Sequence, residues 1–281
     1  MKEIVLYTVI TGNYDNLQEI PNYLYYPSKI DYLCLTNNTN FKSNTYKIIN
    51  INLINNNLKL TNRYYKIIIN EYIKNYKKSI YIDGKIKLIN NIFHLVKKLI
   101  NNDIVCFAHY KRKCLYQEGA VLLHPYKQID NINNITPLLQ HIKEKNFPKM
   151  FGLSDNCCLI RNHNNKIKNS MLDWYNLVNT YSTRDQLSFM YCIWKHKIKI
   201  NLIDKNLHKI YLRIIPHKNI KQKNKYNIIN NTWVEGYDPY ENRKYYFNIK
   251  NRLCKWNLDD KYEEEHYKFL EKGYINISNN S

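Results

Sequence analysis

Short runs of β-branched and aromatic residues alternate along this chain with longer stretches of helical period. That alternation is the mark of a layered α/β fold, a mostly parallel central sheet flanked by helices. The spacing predicts strands over Ile4–Ile10, Asp31–Leu35, Tyr46–Ile51, Ser79–Asp83, Asp103–Ala108 and Cys157–Arg161. Between them, Leu60–Tyr76 reads as a helix whose Tyr64, Ile67, Ile68 and Tyr72 share one face at i, i+3, i+4 spacing and cover the sheet. A second helix is expected from Thr183, where Thr183 and Gln186 fit a capping box and Leu187, Met190, Tyr191 and Trp194 make a buried stripe.

A chain of 281 residues holds one large α/β domain or one domain with an appendage. The α/β pattern runs to about Pro216 and then weakens into a basic, Asn-rich stretch, an aromatic segment from Trp233 to Phe247 and an acidic cluster at Glu263 to Glu265. Residues 1–217 therefore read as the working domain and 218–281 as a basic, aromatic appendage, an acceptor or membrane-surface element whose last residues, Asn276 to Ser281, are disordered. With 44% hydrophobic residues and 27 tyrosines there is ample apolar surface for a core, so a disordered protein is excluded.

The net charge of +20 attracts polyanions, phosphate-bearing ligands or an anionic membrane surface, so peripheral membrane contact is compatible with it. Part of it reflects a general excess of Lys and Asn rather than a site. The seven cysteines are odd in number and form no CxxC pair; they read as reduced core residues, neither a disulfide framework nor a zinc site. The apolar N-terminal stretch is too short for a signal peptide, and no segment reaches the ~18 apolar residues of a membrane span. A cytoplasmic location is expected.

Ligands of α/β sheets sit beyond the C-terminal ends of strands, and the polar residues of this chain gather there. The run Ser79 to Lys85 is an apolar strand ending in Asp83 and Gly84, which reads either as an Asp-Gly turn or as a carboxylate placed to hold a hard cation. The first strand ends in Thr8, Thr11, Gly12, Tyr14 and Asp15, where the glycine permits close backbone approach and the tyrosine and acid suit a nucleoside; a plain βα turn explains them as well. Arg63 and Lys66 lie one helical turn apart and can face one phosphate group, or a solvated cationic face. After the strand ending at Ala108 come His109, Arg112 and Glu118, which either position sugar hydroxyls or form a plain Arg112–Glu118 salt bridge, and Arg161 and His163 pose a similar choice. Asp185, next to Gln186 at the start of the second helix, is an acid favoured by the helix dipole or a catalytic carboxylate.

The ordered segments TVITGNYD (8–15), DYLCLTNN (31–38), NRYYKI (62–67), SIYIDGKIKL (79–88), AHYKRKCLYQEG (108–119), LIRNHNN (159–165) and RDQLSF (184–189) resemble a plant and bacterial family of glycosyltransferase-like proteins, the mucilage-related and turgor-related type. The resemblance covers about residues 4–217. It implies a GT-A fold related to glycosyltransferase family 8, a nucleotide-sugar donor such as a UDP-sugar, a glycan or other acceptor, Mn2+ or Mg2+, and retention of configuration. It further implies that Asp83 is the first acid of the family's Asp-x-Asp element, that Asp185 and Gln186 match its Asp-Gln element, and that His217 is a counterpart of its metal-binding histidine. Lys85 stands where the second acid is expected, so either fewer protein ligands hold the metal or Lys85 supplies the positive charge itself. Asn37 stands where relatives often have Asp, which leaves the base open.

Two other readings remain. A basic nucleic-acid-binding protein would use the charge and the tyrosines for phosphate attraction and stacking, but no RNP-like, helix-turn-helix or zinc-finger signature is present. A transferase fold that only binds would explain Lys85.

Overall fold

The computed structural model describes residues 2–123 and 131–216, and in the C-terminal part residues 228–230, 232–238, 243–248, 250, 253–259 and 264–265. His217 and the tail from Asn276 to Ser281 lie outside the described residues.

Two compact units emerge from the contacts, one formed by the chain up to Lys111 together with the stretch from Ser154 onward, the other by Arg112–Leu153 and the C-terminal strands. In the first unit the strands are β1 (Ile4–Ile10), β2 (Ile30–Thr36), β3 (Lys47–Asn50), β4 (Lys78–Ile82), β5 (Ile86–Leu88), β6 (Ile104–Ala108), β7 (Ser154–Asn162), β8 (Ile200–Ile203) and β9 (Leu212–Ile214). Seven of these form one sheet in the order β3-β2-β1-β4-β7-β6-β8, while β5 and β9 pair separately. Every neighbouring pair in the large sheet is parallel except the two made by β7, which is antiparallel to both β4 and β6. The α/β class and mostly parallel sheet expected from the sequence are present, with one reversed strand.

Central β1 is buried on both faces, which is why it reads as a continuous apolar run. Leu6 and Ile10 join Ile80, Ile82, Val105 and Phe107 in a core on one side. The helices of this unit are α1 (Leu58–Ile67), α2 (Phe93–Val96), α5 (Asn165–Thr180), α6 (Gln186–Lys195) and α7 (His208–Tyr211), counted in chain order with α3 (Leu115–Leu122) and α4 (Ile132–Glu144) of the second unit. α1 packs on β1 and α5, and α6 packs on β7 and α5.

Two helix boundaries correct the sequence reading. α1 stops at Ile67 rather than continuing to Tyr76, because side chains take its last carbonyls. The Tyr7 hydroxyl donates to the Lys66 carbonyl at 2.8 Å, the Arg161 guanidinium to that of Ile67 at 2.7 Å, and the Asn70 amide to those of Tyr65 and Ile68 at 3.3 Å each. The residues α1 buries are consequently Leu60, Thr61, Tyr65, Lys66 and Ile67, so that of the predicted stripe Tyr64, Ile67, Ile68 and Tyr72 only Ile67 is buried within the helix. Arg161, read as a strand-end candidate, is a buried core residue that also donates to the Tyr7 hydroxyl. Likewise α6 has no capping box. Its N-cap is Asp185, itself helical and without a side-chain cap, while the Gln186 amide is spent on the Ser154 carbonyl at 3.3 Å.

The second unit contains α3 and α4 and a five-stranded antiparallel sheet, β10 (Ile228–Asn230), β11 (Trp233–Asp238), β12 (Arg243–Asn248), β13 (Leu253–Lys255) and β14 (Glu264–Glu265), in sequence order. The aromatic segment noted in the sequence supplies β11 and β12, whose register runs from Trp233 opposite Asn248 to Asp238 opposite Arg243.

Candidate functional site

The strand tips of the first unit bring together four charged side chains from three places in the sequence. Arg63 and Lys66 leave α1 on one face, as their i, i+3 spacing requires. Asp83 follows directly on β4, and Asp185 stands at the N-terminus of α6. Lys66 is only 2% exposed, and its Nζ lies 2.6 Å from Asp185 Oδ2 and 3.4 Å from Asp83 Oδ1. Arg63 Nη2 approaches Asp185 Oδ1 to 4.0 Å, and its Nε donates to the Thr183 carbonyl at 3.0 Å. The Tyr81 hydroxyl donates to Asp83 Oδ1 at 2.8 Å, and its ring lies under the Lys66 ammonium at 5.1 Å. The site is thus a buried ammonium clamped between two carboxylates, with a guanidinium beside it.

The electrostatics follow from that burial. Burial works against ionising Asp185, but the Arg63 and Lys66 charges outweigh it and bring the carboxyl down to about 2. For Lys66 burial likewise opposes the charge, and Asp185 and Asp83 together raise its pKa above the ordinary lysine value. The Asp185 Oδ2 oxygen is held by the Lys66 ammonium at 2.6 Å. Trp174 Nε1 fixes the backbone there by donating to the Asp185 carbonyl at 2.9 Å.

Asp83 makes the turn that was one of its two sequence readings, and its carboxylate is paired with Lys66. Its carbonyl accepts from Ile86 N–H at 2.8 Å, closing a turn, while its carboxylate reaches Lys66 and stays 26% exposed. Gly84 is needed in that turn because a Cβ there would come within 2.6 Å of Ile10 Cγ1. The Lys85 carbonyl accepts from Ile215 N–H at 2.9 Å, tying the β5 edge to the β9 edge.

At the end of β1, Gly12 takes a positive φ of 62° and donates its N–H to Asn37 Oδ1 at 2.7 Å. Asn37 therefore shapes this loop. Thr11 Oγ1 donates to the Leu58 carbonyl at 2.9 Å, holding the start of α1. Tyr14 is 56% exposed and Asp15 half-buried, so both line the outer part of this edge. Thr8 is closed inside the sheet, its hydroxyl without a partner in hydrogen-bonding range. His109 is buried beyond β6, with Nδ1 accepting from Lys111 N–H at 3.2 Å and its ring 5.0 Å from that of Tyr110. In the second unit Arg112 and Glu118 form the salt bridge anticipated as one of their two readings.

The sequence reading missed Asp155, Cys157 and His208, which gather at the tip of β7. Its strand starts at Cys157, two positions too late to include Asp155. All seven cysteines are free and buried, as that reading has them, and Cys157 lies in this grouping with Asp155 and His208.

Residues 30–217 match the model of the TOD1/MUCI70, glycosyltransferase-like domain. The chain belongs to the TOD1/MUCI70 glycosyltransferase-like family. This TOD1/MUCI70 member has an α/β fold on a seven-stranded, mostly parallel sheet flanked by helices. No curated protein matches its sequence significantly. Among solved structures it is similar to the apo form of the bifunctional glycosyltransferase WbbM, with 11% identity and a TM-score of 0.41 over 72% of this chain and 39% of that one. The TOD1/MUCI70 member thus spans well under half of WbbM's length. It is also similar to A197 from STIV (11% identity, TM-score 0.32, 87% and 93% of the two chains). A third likeness is to the galactosyltransferase LgtC in complex with donor and acceptor sugar analogues (13%, 0.38, 70% and 72%). These likenesses are too distant to assign any residue a role.

Proposed function

We propose that this family member is a glycosyltransferase that moves a sugar from a nucleotide-sugar donor, a UDP-sugar by its resemblance to family 8, to a glycan or other acceptor with retention of configuration. The observation that carries the reading is the buried Lys66 ammonium held between Asp83 and Asp185 with Arg63 alongside, at the strand tips where α/β sheets take ligands. As the glycosidic bond breaks, negative charge collects on the departing diphosphate, and fixed cations in a low-dielectric site stabilise it without reorganising. Lys66 and Arg63 supply those cations. Asp185, ionised across the whole neutral range, accepts a donor-sugar hydroxyl on the carboxylate that Lys66 and Arg63 hold in place. Tyr14 and Asp15 at the open edge of β1 take the nucleoside, and the Gly12 loop lets its backbone come close.

A hard cation such as Mn2+ or Mg2+ is commonly held by one or two carboxylates, with water and substrate phosphates supplying its other oxygens. Among the described residues Asp83 would hold it through its second carboxylate oxygen, since Oδ1 already meets Lys66 and Tyr81 and Lys85 stands two positions on. Most of the charge neutralisation therefore falls to Lys66 and Arg63, with a divalent cation at Asp83 as a further contributor. No helix of the described residues is long and apolar enough to cross a membrane. A cytoplasmic location remains part of the proposal, supported by seven cysteines none of which is paired. Residues 1–217 remain the proposed transferase domain.

The test is a screen of nucleotide sugars for donor hydrolysis, with and without chelator, comparing the wild-type chain with Asp185→Asn and Arg63→Gln. Loss on the order of 100-fold in each variant, with little effect of chelator, is expected. Undiminished hydrolysis in both variants would remove the site assignment.

A further inference from the structure

Beside the charged cluster, β7 and α7 bring together a group of different chemistry. Asp155 and Cys157 lie at a register shift of β7 against β6, where the Asp155 carboxylate accepts from Cys157 N–H at 3.2 Å, and His208 reaches them from α7. Cys157 Sγ lies 3.3 Å from His208 Nε2, and one ligand atom from each of the three residues lies within 4.8 Å of the other two. Ligand atoms of a tetrahedral site with bonds of about 2.0 to 2.3 Å stand about 3.5 Å apart. The observed Cys157–His208 separation is already near that value, and the whole group lies within 4.8 Å.

Two features go beyond a hydrogen-bonded Cys–His pair. The Phe107 ring meets the imidazole edge-on at 5.1 Å and holds its orientation. Asp155 and His208 also line an open cavity of about 560 Å³, together with Ala108, Tyr110, Lys205 and Arg213. With Asp155 and His208 on the cavity wall and Cys157 buried behind them, a fourth coordination position on an ion held by the three would face that cavity, as in an open metal site.

We propose that Asp155, Cys157 and His208 bind one Zn2+ ion whose fourth position opens into this cavity. One sulfur, one nitrogen and one oxygen donor suit a borderline ion and discriminate against Mn2+ and Mg2+, which prefer all-oxygen sites. Zinc binding takes the thiol proton of Cys157 into solution and leaves the thiolate on the metal. The Asp83 N–H donates to the Cys157 carbonyl at 2.8 Å, so the ion would sit one strand away from the Lys66 cluster. The inference does not depend on the transferase reading, since it concerns metal binding alone.

The experiment is a Co2+ titration of the metal-free full chain. A thiolate-to-cobalt charge-transfer band in the near ultraviolet should saturate at one equivalent, disappear on adding Zn2+ and persist in excess Mn2+. Cys157→Ser should abolish the band and His208→Gln should weaken Co2+ binding at least tenfold, while Cys106→Ser, which alters a buried cysteine outside the group, should leave it unchanged. No saturable band in the wild-type chain, or a band that survives Cys157→Ser, would overturn the proposal. Donor hydrolysis is read separately, so its failure leaves this result standing.

Discussion

Lys66 is the residue on which the site balances. It is buried, and its charge is compensated only by the two carboxylates it separates. Replacing it by methionine keeps most of the volume but leaves Asp185 as a buried charge with only the more distant Arg63 for company. Breaking a buried pair in this way costs about 3 kcal/mol or more, so Lys66→Met should lower the urea midpoint clearly, and adding Asp185→Asn should recover part of the loss. Asp185 also fixes a pH dependence. Its folded pKa lies below the ordinary carboxylate value, so its contribution is fully present above about pH 4 and is lost as pH falls towards 2. In Lys66→Met the raised Asp185 pKa should move the onset of that loss to higher pH, which acid titration followed by tyrosine fluorescence would read. At this scale the sequence was informative: Asp83, Lys66, Arg63 and Asp185 were all singled out from strand-end position and spacing. Their partnership was not legible, because Lys66 and Asp185 are far apart along the chain and nothing local says that α1 and α6 begin or end against each other.

At the scale of elements, α1 carries the two cations and is positioned from both ends. Its start is set by Asn55 and Asn56 in left-handed backbone and by Asn57, whose side chain accepts from Leu60 N–H at 3.0 Å. Asn57→Ala removes that cap and should cost about 1 kcal/mol, measured by thermal unfolding, with the larger effect falling on donor hydrolysis if α1 shifts. The end of α1 was misread because helical period continues in sequence as far as Tyr72 while the carbonyls of Lys66 and Ile67 are claimed by Tyr7 and Arg161 from the sheet. Local propensity has no access to such donors. The same holds for α6, where a sequence-level capping box gives way because Gln186 finds the β7 carbonyl of Ser154 and Asp185 finds Lys66.

Across the whole molecule, acid is the condition to which the fold should be most sensitive. His163 packs against Ser79, its Nε2 2.9 Å from Oγ, and burial with the Arg161 charge pushes its pKa down to about 3. A histidine held neutral by the fold is protonated preferentially in the unfolded chain, so stability should fall as pH drops from about 6.5 towards 3. His163→Gln should flatten that part of the stability curve without changing the plateau near pH 8, as urea denaturation across pH would show. The sequence by itself determined the layered α/β class and six strands of the main sheet, and pointed to the ends of those strands as the proposed site, because side-chain period and turn residues are local properties. Only the tertiary structure decided the reversal of β7, where the helices stop, that Lys66 is clamped rather than solvated, and that Asp155, Cys157 and His208 meet. Each of these depends on which distant group fills a hydrogen bond or compensates a charge, and that is settled only when the layers pack.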